Sequence, residues 1–143
     1  MSIVINSSYD FVVIDAPPSL GLLTVNALAA ADEVIIPVAP SVFGLQGISK
    51  LLDTIEKVKR YLNCPELHVC GVLCTFVDNT NVAQDVEKAV RDHFGEKAFK
   101  TVIPKNVKLE EAHSRATNIF SYAPTSTGAQ AYAKFVEEVL QRE

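Results

Sequence analysis

The sequence predicts an α/β fold, a mostly parallel sheet with helices on both faces. Two observations predict it. Short apolar runs alternate with longer stretches of helical periodicity, and the connections between them are brief. That order favours right-handed crossovers and parallel pairing. The 143 residues, 48% hydrophobic and 21% charged, suit a single soluble globular domain spanning 1–143.

Each element follows from its pattern. Tyr9-Asp10-Phe11-Val12-Val13-Ile14-Asp15 is a nearly continuous apolar run, the signature of a strand buried on both faces, and Pro17-Pro18 ends it. The Leu- and Ala-rich stretch Leu20 to Ala31 predicts a helix, and Val34 to Val38 the next strand. Ile48, Leu51, Leu52, Ile55, Val58 and Leu62 form a helical stripe that Asn63 and Pro65 stop. His68 to Phe76 reads as a strand. Asn81 with Gln84 suggests a capping box, ahead of a helix through Val82, Val86, Val90 and Phe94 to Gly95. Phe99 to Ile103 predicts a short strand closed by Pro104. A helix over Val107 to Ser114, a strand over Ile119 to Tyr122 and an amphipathic helix from Ser126 to Gln141 complete the series.

Composition excludes several classes. No apolar run has the roughly 18 residues of a membrane span, and Met1 to Asn6 lacks the basic and apolar regions of a secretory signal. A cytoplasmic protein without a membrane partner is expected. Cys64, Cys70 and Cys74 contain no C-x-x-C pair and read as buried thiols rather than metal ligands. His68, His93 and His113 lack partners at triad spacing. The net charge of −4 offers no global attraction for nucleic acid, so any such site is local.

In parallel α/β sheets ligands bind at the carboxyl ends of strands. Asp15 stands there, where a carboxylate can hold magnesium beside a nucleotide phosphate. Two consecutive prolines stiffen the backbone behind it. The string Ile14-Asp15-Ala16-Pro17-Pro18-Ser19-Leu20-Gly21 resembles the ParA/Soj-type family of partition ATPases, in the MinD-like group with a deviant Walker A loop. Further matching stretches fall in family order. They are Ala30 to Val38, Leu45-Gln46-Gly47, Gly71-Val72-Leu73 before Thr75, Phe94-Gly95, Thr101 to Ala112, and Gly128 to Tyr132.

The resemblance implies a partial P-loop NTPase fold, ATP and Mg2+ as family cofactors, and a role in chromosome or plasmid partition. It assigns Asp15 to the metal side as the catalytic acid, and Pro17 and Pro18 to the adjoining switch loop. Thr75, Phe76, Pro104 and Asn106 would lie against the base, although Phe76 reads first as core packing and Pro104 and Asn106 equally as turn formers. The family also binds DNA non-specifically as a dimer and meets a ParB-like partner on the nucleoid. Lys105, Lys108 and Arg115 are the candidates for phosphate contact within a basic stretch diluted by Glu96, Glu110 and Glu111.

The chain departs from the family pattern in three places. No G-x-x-x-x-G-K-[ST] string occurs, so the phosphate cradle and its neighbouring strand belong to a portion expected before these residues. Asn79-Thr80-Asn81 lacks the usual preceding arginine, and His113 to Asn118 replaces a P-S-x-G-K-P stretch. The expectation is that this chain alone binds no cofactor and hydrolyses no ATP. Three readings stay open: part of a partition ATPase, a short paralogue acting as a non-catalytic interaction module for such an ATPase or for DNA, or another α/β enzyme.

Overall fold

The computed structural model describes residues 9–17, 19–40 and 42–142, with backbone alone for 42–46. The order is α1 (Leu22–Ala30), β1 (Glu33–Val38), α2 (Val42–Tyr61), β2 (His68–Cys74), α3 (Asn81–Phe94), α4 (Val107–Ser114), α5 (Ile119–Tyr122) and α6 (Thr127–Leu140). A 3-10 turn, Gly95–Lys97, follows α3. Strands β1 and β2 pair. The pairing is parallel, because the N–H of His68 donates to Asp32 O and that of Thr75 to Val38 O.

The chain divides into two compact units, residues 1–34 with 49–68, and 35–48 with 69–143. In the first, Leu28, Ile55, Val58 and Leu67 are buried. Ile55 and Val58 of the stripe read from the sequence therefore face a core, whereas Leu62, beyond the end of α2, is exposed. Helix α2 begins at Val42, well before Ile48, where the apolar periodicity starts. Near the end of α2, the Cys64 thiol lies 3.6 Å from Ala29 O, and His68 Nε2 lies 3.1 Å from Glu33 Oε1.

The second unit is organised around β2, whose Gly71, Val72, Leu73 and Cys74 are all buried. Burial of Cys74 raises its thiol pKa, so it stays a small, protonated hydrophobe. Leu73, Phe99 and Ile103 form one cluster, covered by Leu109, Tyr132, Phe135 and Val139. Ala112, Ile119 and Ala129 form another, reached by Leu109 and Tyr122. A Cβ on Gly128 would stand 2.9 Å from Leu109 Cγ, so glycine there lets the start of α6 approach α4.

Four sequence expectations are corrected. Residues 9–15 form no strand. Phe11 to Ile14 are exposed, and no backbone hydrogen bond joins 9–16 to the other described residues. An extended segment is stabilised only by ladder partners, and none is present among these residues. Residues 99–103 do follow β2, through bridges Val72↔Ala98 and Val77↔Pro104, but they form no regular strand. Their outer edge is taken by side chains instead. Ile119–Tyr122 is a helical turn, because Asn118 Oδ1 accepts the Ser121 N–H and overrides the β-propensity of Ile, Phe and Tyr. The cap of α3 is Thr80, whose hydroxyl accepts from Ala83 N, and not Asn81. Thr80 itself donates to Asp78, and this hydroxyl contact is the main reason the Asp78 carboxyl lies below the usual range.

The side chains on the outer edge come from α3, from α6 and from Arg142 just after α6. Arg142 donates to Cys70 O, Lys97 O and Ala98 O, and Arg91 to Phe99 O and Lys100 O. Glu138 accepts the N–H groups of Lys100 and Thr101 at 2.7 and 2.8 Å. Burial pushes the Glu138 carboxyl up, but these N–H donors and Arg142 outweigh it and leave the carboxyl below its ordinary value. Stabilisation from this shift is complete above the unfolded value near 4.3 and is lost as pH falls through the folded value. Glu138→Gln is therefore expected to lower stability by about 1–2 kcal/mol at neutral pH. The difference from the parent should shrink below about pH 4 in denaturant titrations. An unchanged gap at acid pH would remove the charge from this account.

Candidate functional site

In the first unit, Asp15 and Pro17 lie exposed on the extended segment before α1. Pro18 lies outside the described residues. The loop is tied to α1 by Thr24, a buried polar side chain of that unit. Its hydroxyl donates to Ser19 O, with Pro17 O at 3.3 Å. Sequence reading missed Thr24. The available signal was a hydroxyl one turn into a helix behind a proline loop, a position from which it can reach back to loop carbonyls.

A magnesium ion takes six oxygens, commonly one or two carboxylates with waters and phosphates supplying the rest. An exposed, unburdened Asp15 carboxylate suits such a contribution. Among the described residues no group of three His, Cys, Asp or Glu gathers to hold an ion. Asp15 therefore fits as one ligand beside a phosphate and does not fit a protein-only cage.

In the second unit the structure does bring together Thr75, Phe76, Pro104, Lys105 and Asn106. Val77 N donates to Ile103 O, and Lys105 N donates back to Val77 O at 2.9 Å. Phe76 is 61% exposed and adopts a positive φ of 56°. An aromatic residue in the left-handed region costs about 1–2 kcal/mol, and its ring here is presented to solvent instead of the core. The core reading of Phe76 is thus excluded. Asn106 caps α4: its Oδ1 accepts Lys108 N at 2.8 Å, while its amide nitrogen donates to Thr127 Oγ1 at 2.6 Å. Both ends of that amide are committed, so Asn106 positions the turn, and Phe76 and Pro104 offer the open faces.

The basic candidates differ in their freedom. Lys105 is exposed. Lys108 Nζ lies 2.7 Å from Glu111 Oε2, which also accepts the Tyr122 hydroxyl at 2.8 Å. The Lys108 hydrogen bond, then that from Tyr122, holds the Glu111 carboxyl below its usual range, and the same contact raises Lys108. The Arg115 guanidinium sits 5.2 Å from the Tyr122 ring centroid, and Lys108 Nζ 6.0 Å from it. Tyr122, read from sequence as a strand residue, is the hub of this cluster. Two cations face one carboxylate there, so the net positive charge is smaller than the sequence suggests.

Because Asp15 is exposed, Asp15→Ala is expected to change folding stability by no more than about 0.5 kcal/mol. A loss above about 2 kcal/mol in urea unfolding would give the carboxylate a structural role.

Known proteins resemble this chain over nearly its whole length. An AAA domain family model matches residues 3–69. The chromosome-partitioning ATPase Soj of Thermus thermophilus is 51% identical over 138 residues, covering 96% of this chain and 55% of Soj. The sporulation initiation inhibitor protein Soj of Bacillus subtilis is 46% identical, covering 94% of this chain and 53% of its own length. The septum site-determining protein MinD of Pyrococcus horikoshii, solved with Mg-ADP, superposes with a TM-score of 0.72 at 26% identity, over 93% of this chain and 51% of MinD. The chain thus spans about half the length of the relatives it matches. No helix among the described residues is long and apolar enough to cross a membrane. The chain belongs to the ParA/Soj-type, MinD-like family of partition ATPases with an α/β, P-loop-type fold.

Proposed function

We propose that these residues form the metal-side and base-side portion of a nucleotide-dependent chromosome-partitioning protein. The observation that carries this is the 51% identity to a chromosome-partitioning ATPase over 96% of the chain, with the Ile14-Asp15-Ala16-Pro17 string inside it. Asp15 would supply one oxygen to a magnesium ion whose other ligands are phosphates and water. Pro17 and Pro18 would fix the approach of that segment. The Phe76 ring, held outward by its backbone, and Pro104 would offer apolar faces to a base, with Thr75 alongside and Asn106 holding their turn. Bound Mg-nucleotide would supply the electrophilic phosphate, and the groups named here would orient it.

The phosphate-holding groups are absent from this part of the proposal. Charge-assisted donors to a triphosphate provide most of its binding, and no glycine-lysine loop occurs in the 143 residues. This chain alone, residues 1–143 read as one portion of a domain, is expected to give no heat with MgATP at millimolar concentration in calorimetric titration. Micromolar binding would overturn the assignment of the phosphate site to another portion of the protein.

Non-specific DNA contact, a ParB-like partner, dimerisation and a nucleoid location are the wider parts of the proposal. Lys105, Lys108 and Arg115 would meet phosphates without reading bases. Glu111 restrains Lys108 in this scheme. Glu111→Gln is expected to raise affinity for arbitrary duplex DNA about twofold to fivefold at low ionic strength, the range of one exposed ion pair. The gain should vanish as salt rises in fluorescence anisotropy. Unchanged or weaker binding would remove this cluster from the DNA-facing surface.

A further inference from the structure

The loop behind Asp15 hangs on one buried hydroxyl. Residues 15–17, 19 and 20 are exposed and make no backbone–backbone hydrogen bond with other described residues. Helix α1 gives the loop little other hold, because its N-cap, Gly21, has no side chain to cap with and its first turn holds no acid. Thr24, 6% exposed, is the exception. A helical threonine ordinarily spends its hydroxyl on a carbonyl three or four residues back in its own helix. Thr24 instead reaches five and seven residues back, to Ser19 O and Pro17 O, both outside α1. Its branched Cβ restricts χ1 to few rotamers, so the donor is itself a fixed point.

Packing alone does not call for this arrangement. A valine would fill the same space, and both carbonyls belong to exposed residues that water can serve. What the hydroxyl adds is a grip on the loop. Holding Pro17 and Ser19 leaves one residue, Ala16, between the held backbone and Asp15, and the proline pair is stiff by its chemistry. We propose that Thr24 is a positioning residue for Asp15, its hydroxyl fixing where the loop, and through it the carboxylate, stands beside α1. A carboxylate that takes part in a reaction has to be kept within about 0.5 Å of its productive place by groups packed behind it. Thr24 supplies that support from the helix side. The purpose of the hold rests on reading Asp15 as a magnesium-side ligand, whereas the hold itself does not.

The test uses the 143-residue chain in three forms. Thr24→Val removes the donor and keeps the shape, and Thr24→Ser keeps the donor and removes a methyl group. Backbone order parameters of Ala16, Ser19 and Leu20, from nitrogen NMR relaxation, should lie near the rigid value of about 0.85 in the parent. They should fall below about 0.6 in Thr24→Val and return in Thr24→Ser. The melting temperature of Thr24→Val should drop by no more than about 5 °C, since water replaces the hydroxyl at exposed carbonyls. A residue that only fills space would give the reverse, with Thr24→Ser the more damaging change and the loop unmoved in Thr24→Val. That pattern would overturn the proposal. So would parent order parameters already below about 0.6, a result that needs no variant to fold. No nucleotide or metal enters the measurement, so its outcome is separate from that of the MgATP titration, which tests the nucleotide reading.

Discussion

The second unit depends on one arrangement, the capture of the backbone of residues 97–101 by charged side chains. Beside β2 this segment contributes Phe99 N to Val72 O, and further along Ile103 N to Cys74 O. A third strand lying there would leave its outer carbonyls and N–H groups bare, an edge that invites pairing with other chains. Arg91, Glu138 and Arg142 take those groups instead. Each charge-assisted bond contributes more than a neutral one, and the long arginine stems cover apolar surface as well. The Arg142 guanidinium lies 3.9 Å from the centroid of the Phe99 ring. That stack is possible only because Gly71 lies beneath it. A Cβ there would stand 2.5 Å from Phe99 Cε2 and 2.8 Å from Lys97 O. One missing methyl group in β2 thus permits the ring, the guanidinium and the edge closure together.

The register set by that closure carries forward to the candidate base side. Residues 103–105 exchange bonds with Val77, and this fixes Pro104 beside the turn that holds Phe76. Asn106 then begins α4, which delivers Lys108 and Glu111 to Tyr122. Phe76 departs from what local preference favours: a bulky residue in a left-handed backbone with its ring exposed. Such strain persists only where the surrounding bonds over-determine it. Here Thr75 N on one side and Val77 N on the other are both hydrogen-bonded, which leaves Phe76 as the residue that absorbs the turn.

The sequence made the helices legible and the strands less so, for a physical reason. Helical periodicity is a property of one segment, so α1, α3, α4 and α6 could be read within a residue or two of their ends. A strand is a property of a pair. The run at 9–15 has strand composition without a ladder, and 99–103 has a ladder partner on one side and side chains on the other. Ile119–Tyr122 shows the reverse case, where Asn118 capping and burial of Ile119 against Ala112 and Ala129 outweigh residue preference. At the candidate site, residue types were legible and their commitments were not. The cap of Asn106 on Lys108 and the pairing of Lys108 with Glu111 were local enough to be read, whereas the contact of Asn106 with Thr127, 21 residues on, was not.

The two units differ in how far they satisfy themselves, and the difference bears on where chemistry can occur. The second unit closes its own edge, and its two apolar clusters are covered by α4 and α6. The first buries Leu28, Ile55, Val58 and Leu67 yet leaves the whole run ahead of Asp15 in water. Catalytic constellations require carboxylates held within a fraction of an ångström by ordered supports. Thr24 anchors the loop after Asp15, while no ladder precedes it among the described residues. Asp15 therefore stands at the end of a segment that has no backbone hydrogen-bond partner among the described residues.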